Sequence, residues 1–536
     1  MLVAAILGTT VVTIDSTVVN VALPAIERDL GGGLAGQQWT SNAYLLTLSS
    51  LLLVAGSLGD LFGARRVFAI GVTGFGVTSI FCALAPTVEL LVVSRALQGV
   101  FGALLTPAAL AVIVSTFPPD ERGRAVGAWT AWGGIGTVLG PLIGGQLVDS
   151  ASWRWIFAIN VPVVLITLFL VLRVVPEGRP RAADAKVDVI GATLCAVGLG
   201  GITYGLIEQP LHGWGDPTVA VPLLAGVALF AAFIAWEARS PHPMLPLALF
   251  RRRNFAVGNI ETFSVYAGLG LLFFFLVLFL QQVAGYNALE AGTTTIPVTL
   301  VLFVLSVRFG ALADRYGPRF FMGFGPLLSA VGLSLFLRLD ADVDYLTELL
   351  PGLLIFSLGL AMTVAPLTAT VLADADEHNA GIASGVNNAI ARVASLIAIA
   401  AVGAVVASAF GSALRDELGA QARRPAVARA IEEAEKQPLA RVEVTDVPPR
   451  VRAEIAEGSR DASVKAFHVA IAIATGLVGL GGVLGLIGIV NPRRKVDAAD
   501  CPGGQLAGAT SEAARSSPCD WQRQAETARE PASSPA

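Results

Sequence analysis

One turn is written twice in this chain. Gly56-Ser57-Leu58-Gly59-Asp60-Leu61-Phe62-Gly63-Ala64-Arg65-Arg66 recurs in register as Gly310-Ala311-Leu312-Ala313-Asp314-Arg315-Tyr316-Gly317-Pro318-Arg319, and each copy joins one long apolar run to the next. A turn built of Gly, Asp, Gly and Arg at matching places in two apolar halves marks a duplicated membrane helix bundle. Hydrophobic residues make up 54% of the chain and charged residues only 14%, well below the roughly 25% charged content of a soluble domain. A water-soluble fold does not hide that much apolar surface.

A helix needs about 20 apolar residues to cross the hydrocarbon core. Runs of that size fall at 2–23, 39–59, 67–86, 89–116, 124–148, 155–175, 188–209, 217–237, 255–283, 291–313, 320–339, 347–373, 380–409 and 464–491. The expectation is an all-α integral membrane protein with fourteen transmembrane helices. Residues 1–23 carry Asp15 and Asn20 and no basic n-region, so they read as a retained first span rather than a signal peptide.

With an even number of spans, both termini share one side. Loops on that side hold Arg65, Arg66, Arg122, Arg124, Arg173, Arg179, Arg181, Lys186, Arg239, Arg251, Arg252, Arg253, Arg315, Arg319, Arg493, Arg494 and Lys495, whereas the short loops opposite hold Arg28, Arg154 and Arg338. The excess of basic residues places the termini in the cytoplasm of a multi-pass cell-membrane protein. The repeated turns follow spans two and ten, so spans one to six (residues 1–175) form one six-helix bundle. Spans seven and eight with their linker (176–253) are an inserted, peripheral hairpin facing lipid. Residues 254–495 form the second bundle, with a long extracytoplasmic loop at about 410–463, and 496–536 read as a disordered cytoplasmic tail.

Several motifs then fall in order on these spans. Span one ends Asp15-Ser16-Thr17-Val18-Val19-Asn20-Val21-Ala22-Leu23-Pro24, span four carries Arg95-Ala96-Leu97-Gln98-Gly99, and span five carries Gly136-Thr137-Val138-Leu139-Gly140-Pro141-Leu142-Ile143-Gly144-Gly145. Trp153-Arg154-Trp155-Ile156-Phe157, with Asn160 and Pro162, opens span six. This set resembles the major facilitator superfamily and, within it, the fourteen-span drug:proton antiporter family. The resemblance implies the major facilitator fold, two six-helix bundles plus two inserted spans. It also implies a secondary active exporter in which proton entry drives efflux of hydrophobic, in one reading cationic, drugs or antibiotics. For Arg95 it implies a part in proton coupling, and for the span-five motif a seal against proton leak.

Read physically, Asp15 is a carboxylate inside a span, at a cost of about 2.5–3.5 kcal/mol on insertion scales; it is a candidate proton or cation site, with a structural hydrogen bond as the alternative. Arg95 stays charged and needs partners or water, unless it snorkels to the surface. Glu261 is a second candidate proton carrier. Asn20, Asn42, Tyr44, Gln98, Asn388 and Arg392 are candidate substrate contacts on polar faces, and Trp132 and Tyr266 are the aromatics most suited to a greasy pocket. Gly136, Gly140, Gly144 and the adjoining Gly145 give span five a small-residue stripe, and Pro141 bends it there. In the repeated turns Gly56, Gly63, Gly310 and Gly317 permit the reversal. Asp60 and Asp314, near Arg65, Arg66 and Arg319, form either a conformational latch or a static anchor.

Other classes find less support. There is no G-x-x-x-x-G-K-[ST] loop to serve as a nucleotide engine. The histidines His212, His242, His378 and His468 lie in separate segments, and the four cysteines show no paired spacing, so no metal, cofactor or disulfide framework is expected. A membrane-embedded enzyme, a non-transporting sensor and a transporter or importer of one endogenous metabolite remain the alternatives. The expected partners are the lipid bilayer, protons and small substrates, with no nucleic acid and a monomeric protein.

Overall fold

In a computed structural model of the chain, residues 1–176, 187–373, 380–419, 422, 425–435, 438–439 and 449–491 are described. Among them there is no strand; the elements are helices that run nearly end to end. We number them α1 (Leu2–Leu30), α2 (Gly33–Phe62), α3 (Ala64–Ala83), α4 (Val88–Thr116), α5 (Pro119–Ser150) and α6 (Trp155–Val174) for the first half. Then come α7 (Val189–His212) and α8 (Pro217–Glu237). The second half has α9 (Arg253–Gln282), α10 (Ala288–Tyr316), α11 (Pro318–Arg338), α12 (Tyr345–Ala373), α13 (Ala380–Leu418), the short α14 (Pro425–Glu435) and α15 (Pro449–Gly488). Among the described residues 12 helices are long and apolar enough to cross a membrane. The helices α2 and α5, 30 and 32 residues long, are two more of comparable length.

The repeated turn folds the same way both times. Gly63 ends α2 at φ 87 and Gly317 ends α10 at φ 92, each with its amide bonded back into the preceding helix, to the carbonyls of Gly59 (3.0 Å) and Ala313 (2.8 Å). Their ψ angles of 134 and 147 lie outside the left-handed helical well, where a side chain is not accommodated. The arginine after each turn then reaches the sixth long helix of its own half: Arg65 donates to the Leu172 carbonyl (2.7 Å) and Arg319 to that of Leu486 (2.6 Å). Arg253 adds bonds to the carbonyls of Gly488 and Ile487. Cations thus satisfy the last carbonyls of α6 and α15 and oppose the negative end of each helix.

Glycines set how close the helices come. A Cβ on Gly136 would stand 3.4 Å from Thr10, and Cβ atoms on Gly140 and Gly144 would run into Thr17 and Val18, so the stripe of α5 lies against α1. In the second half α9 is the central helix: 72% of its most apolar window is buried, against 11% for α10. Phe274, Phe275 and Phe279 are buried there, with Phe279 stacked 4.1 Å from Phe467 of α15.

Two stretches differ from the expectation. The hairpin α7–α8 is peripheral only in part: α8 is mostly exposed, but α7 packs against both halves, with Leu199 and Cys195 meeting Leu46 of α2 and Val393 and Ile397 of α13. The stretch expected as a loop at 410–463 is largely helical. The helix α13 runs on to Leu418, and α15 begins at Pro449. Between them α14 buries Val427, Ile431 and Ala434 on one face and pairs its Glu435 with Arg415 at 2.5 Å. An amphipathic helix has low mean hydropathy, so a search for apolar runs passes over it. The tail expected at 496–536 lies outside the described residues.

Glycine at the two turns should be replaceable by nothing larger. Gly63→Ala and Gly317→Ala should each lower stability by about 1–3 kcal/mol, seen as a lower midpoint of thermal unfolding in detergent. Gly310→Ala, whose Cβ would meet Ala365 at an ordinary 3.5 Å, should not. Equal midpoints for all three would remove the backbone argument.

Candidate functional site

The first half is organised around a buried charge pair. Asp15 of α1 is 0% exposed and Arg95 of α4 is 1% exposed, and they meet at 2.5 Å. The second carboxylate oxygen accepts from Gln98 (2.9 Å) and from Asn160 of α6 (3.0 Å). Arg95 also donates to Gln98 (2.7 Å) and to the Thr40 carbonyl of α2 (3.1 Å), and its guanidinium lies 4.2 Å over the ring of Tyr44. Ser79 of α3 accepts from both Gln98 (2.9 Å) and Asn160 (3.3 Å). Five helices therefore converge on one carboxylate.

Local sequence explains the convergence. Arg95 and Gln98 are three apart and share one face of α4, while Gly99 beside them lets α2 approach so closely that a Cβ there would strike Thr47 and the Tyr44 carbonyl. Thr47 closes the contact by donating to the Ala96 carbonyl at 2.7 Å. Both charges have hydrogen-bond partners beyond each other, which helps a buried pair to repay its desolvation. Snorkelling of Arg95 is excluded by its partners.

The second half contains the opposite situation. Glu261 of α9 is 0% exposed and neither carboxylate oxygen has a hydrogen-bond partner. It faces α15, where a Cβ on Gly485 would come within 2.9 Å of its Oε2. One turn away, Asn387 of α13 donates to Asn259 (3.1 Å) and Thr262 (2.8 Å) of α9. Asn388 is exposed and donates to its own helix at Ser384, so the inward-facing amide of that pair is Asn387.

The remaining candidates are scattered. Asn20 accepts from Ser41 (3.1 Å). Asn42 is 0% exposed, and neither its amide nitrogen nor its oxygen has a partner. Arg392 of α13 is half-buried and lies within electrostatic reach of the hydroxyls of Tyr44 and Tyr266. Trp132 is 51% exposed and stands apart from this group. Asp314 and Arg66 are exposed. Gly56 and Asp60 fall within α2, and the side chain of Asp60 lies outside the described residues.

The two halves meet at one end. Asp149 at the close of α5 accepts the amides of Ala288 (3.1 Å) and Leu289 (2.8 Å) at the start of α10, Gln38 donates to the Ile399 carbonyl (2.6 Å), and Gln281 donates to that of Val21 (2.9 Å). Gly145 and Gly292 make the contact tight, against Leu289 and Pro141 respectively. Among the described residues, every hydrogen bond between the halves lies in the part of the helices remote from the repeated turns. At that same end Trp153 donates to Asp29 (2.9 Å), and Arg154 pairs with Asp29 and donates to the Ala85 carbonyl (3.0 Å).

Two duplicated halves that close on each other at one end, the first built around a buried carboxylate and guanidinium, are matched by comparison with known proteins. Residues 5–399 fit the model of the Major Facilitator Superfamily. The chain belongs to this superfamily. It is thus a multi-pass membrane transporter rather than an enzyme. It is 37% identical to the tetracenomycin C resistance and export protein of Streptomyces glaucescens, over 84% of this chain and 82% of that protein. It is 37% identical to the puromycin resistance protein pur8 of Streptomyces alboniger, over 76% and 81%. It is 34% identical to the multidrug resistance protein Stp of Mycobacterium tuberculosis, over 78% and 77%. Among solved structures, a bacterial homologue of the human lysosomal transporter Spinster superposes with a TM-score of 0.62 at 19% identity, covering 92% of this chain and 98% of that one. The xylose transporter XylE of Escherichia coli follows the same fold, with a TM-score of 0.55 at 14% identity over 92% and 97%.

Sequence reading named Asp15, Arg95, Gln98 and Tyr44, which the structure brings together; it did not single out Ser79 or Asn160. Ser79 is a small neutral residue that barely lowers the hydropathy of its span. Asn160 stands in the span-six motif, and its exposure of only 2%, with its amide on Asp15, is what reveals its place in the network.

Removing one member of the pair should cost about 3–5 kcal/mol, because the other is left as an uncompensated buried charge. Asp15→Asn and Arg95→Gln should each depress the thermal midpoint in detergent, and the double variant should be more stable than Arg95→Gln alone. A double variant as unstable as the sum of the singles would show that the two do not act as a unit.

Proposed function

We propose that this transporter is an exporter of hydrophobic small molecules, antibiotics or other drugs, coupled to proton entry by alternating access of its two halves. The names of its relatives, which include export and multidrug resistance proteins, support the cargo class. The observation that carries proton coupling is Asp15: a titratable group in the middle of a bundle, gripped by the permanent cation Arg95 and by the amides of Gln98 on α4 and Asn160 on α6.

A proton arriving on Asp15 removes one charge of the pair. Arg95 then keeps only the Thr40 carbonyl, Gln98 and the Tyr44 ring, and the grip between α1 and α4 loosens. Because α1 also carries α5 on its glycine stripe, a change at Asp15 reaches the helix whose far end closes on α10. The resistance of that closure to proton leak rests on the tight contact of Gly145 with Leu289 and of Gly292 with Pro141. Glu261 offers a second place for a proton in the other half, since protonation removes the charge that an unpartnered carboxylate would otherwise bury.

The same reading takes fourteen spans, α1 to α13 and α15, with both termini on the cytoplasmic side where the loop arginines gather. The closed end is then extracytoplasmic, and the cavity opens inward. Asp60 and Asp314 would pair with the nearby arginines of the repeated turns in one state and release them in the other, latching the cytoplasmic side. The protein works as a monomer in the cell membrane.

In everted vesicles energised to an acid interior, adding a cargo should release protons, read from a pH-sensitive dye, and Asp15→Asn should abolish the release while the protein stays inserted. Compounds that move without protons would leave an uncoupled transporter. A broad panel that moves nothing would favour a dedicated carrier of one metabolite.

A further inference from the structure

Two arginines stand deep in the helix bundle, and they are treated very differently. Arg95 is matched by Asp15 and ringed by acceptors. Arg392 has no carboxylate partner and no hydrogen-bond acceptor among the described residues. Val393 beside it packs with Leu46 of α2 on the same apolar cluster, and the hydroxyls that act on it are that of Tyr44, across the seam on α2, and that of Tyr266, on α9 of its own half. A guanidinium held among membrane helices without an anion is costly. Its position is also central, since Tyr44 is the ring that covers Arg95.

A second orphan group lies on the facing helix. The contact between α2 and α13 is fixed by Gln38 bonding to the Ile399 carbonyl. Asn42 is one turn further along α2, about 6 Å toward the repeated turn, and Arg392 is about 10 Å from Ile399 in the same direction along α13. They are thus neighbouring levels of one seam, and both amide atoms of Asn42 lack partners. Gln38, at the level above, has its own partner; these two do not.

We propose that Arg392, with Asn42 facing it across the α2–α13 seam, is an anion-recognition site, and that the cargo is an amphiphilic organic anion: an apolar body bearing a carboxylate or an acidic phenol or enol. A planar guanidinium accepts a carboxylate through two parallel bonds, and an amide beside it can donate a third. With no carboxylate beside it among the described residues, the cation gains an anionic partner when the cargo arrives. Lipophilic cations are disfavoured at this seam, because Glu261 faces α15 and Asp15 is already held by Arg95. The exporter reading is needed only for the direction of transport; the charge preference stands on the seam itself.

The test uses the full-length protein in lipid nanodiscs with fluorescein as the anionic probe and rhodamine 123 as a cationic one of similar shape, read by fluorescence anisotropy. Fluorescein should bind the native protein more tightly than rhodamine 123. Arg392→Gln should weaken fluorescein about ten- to a hundredfold, as expected for a lost charged hydrogen-bond pair, without weakening rhodamine 123. Arg392→Lys, which keeps the charge but not the paired geometry and guards against a folding artefact, should bind fluorescein with an affinity between those of the native protein and Arg392→Gln, and Asn42→Ala should lose a few-fold. Fluorescein that fails to bind the native protein, or that binds Arg392→Gln equally well, overturns the proposal. Arg392-dependent binding with no proton-driven uptake into everted vesicles would uphold the site and defeat the exporter reading instead.

Discussion

The pairing of Asp15 with Arg95 is the constraint around which the first half is built. An ionised carboxylate or guanidinium left alone in a membrane interior is too costly to keep, so each enforces the presence of the other. The remaining lone pairs and N–H groups then recruit Gln98, Asn160 and the Thr40 carbonyl. Those partners come from α2, α4 and α6, and glycines at 99, 140 and 144 give the helices room to reach. The packing serves the pair as much as the pair serves the packing.

The second half has the same frame without the same charges. Gly317 and Arg319 repeat the geometry of Gly63 and Arg65 almost angle for angle, yet the acid and the base within that half are not joined. Glu261 turns toward α15 while Arg392 turns toward the seam between the halves. Duplication preserved the scaffold, and the charges were redistributed on it. One half holds a closed network around Asp15, where the proposed cycle stores its proton, and the other leaves Glu261 and Arg392 without a charged partner among the described residues.

Much of this was legible in the chain. Charges within apolar runs are conspicuous, which is why Asp15, Arg95, Glu261 and Arg392 stood out, and the glycine spacing of α5 marks a stripe whatever packs on it. The partner of that stripe, α1, was not legible, because periodicity identifies a face and says nothing of what it meets. The same limit applied at Asn387 and Asn388: adjacent residues on a helix point about 100° apart, and only the packing decided which one turns inward. Ser79 and the Thr40 carbonyl left no trace at all, since neutral groups and backbone atoms do not raise the cost of a span. The helix α14 was hidden for a different reason, its apolar residues being spread over one face rather than gathered in a run.

The helix α7 touches α2 on one side and α13 on the other, and so lies along the seam where the two halves face each other. A pair of six-helix bundles has two such seams, each a potential doorway from the bilayer into the cavity. One is shuttered by α7 and locked, at the end where the halves meet, by Trp39 donating to Glu208 at 3.1 Å. The other, between α5 and α10, has no such cover among the described residues. A greasy molecule dissolved in the leaflet would therefore find one entrance and one wall, and the two added spans would make the protein's traffic with its own lipid one-sided.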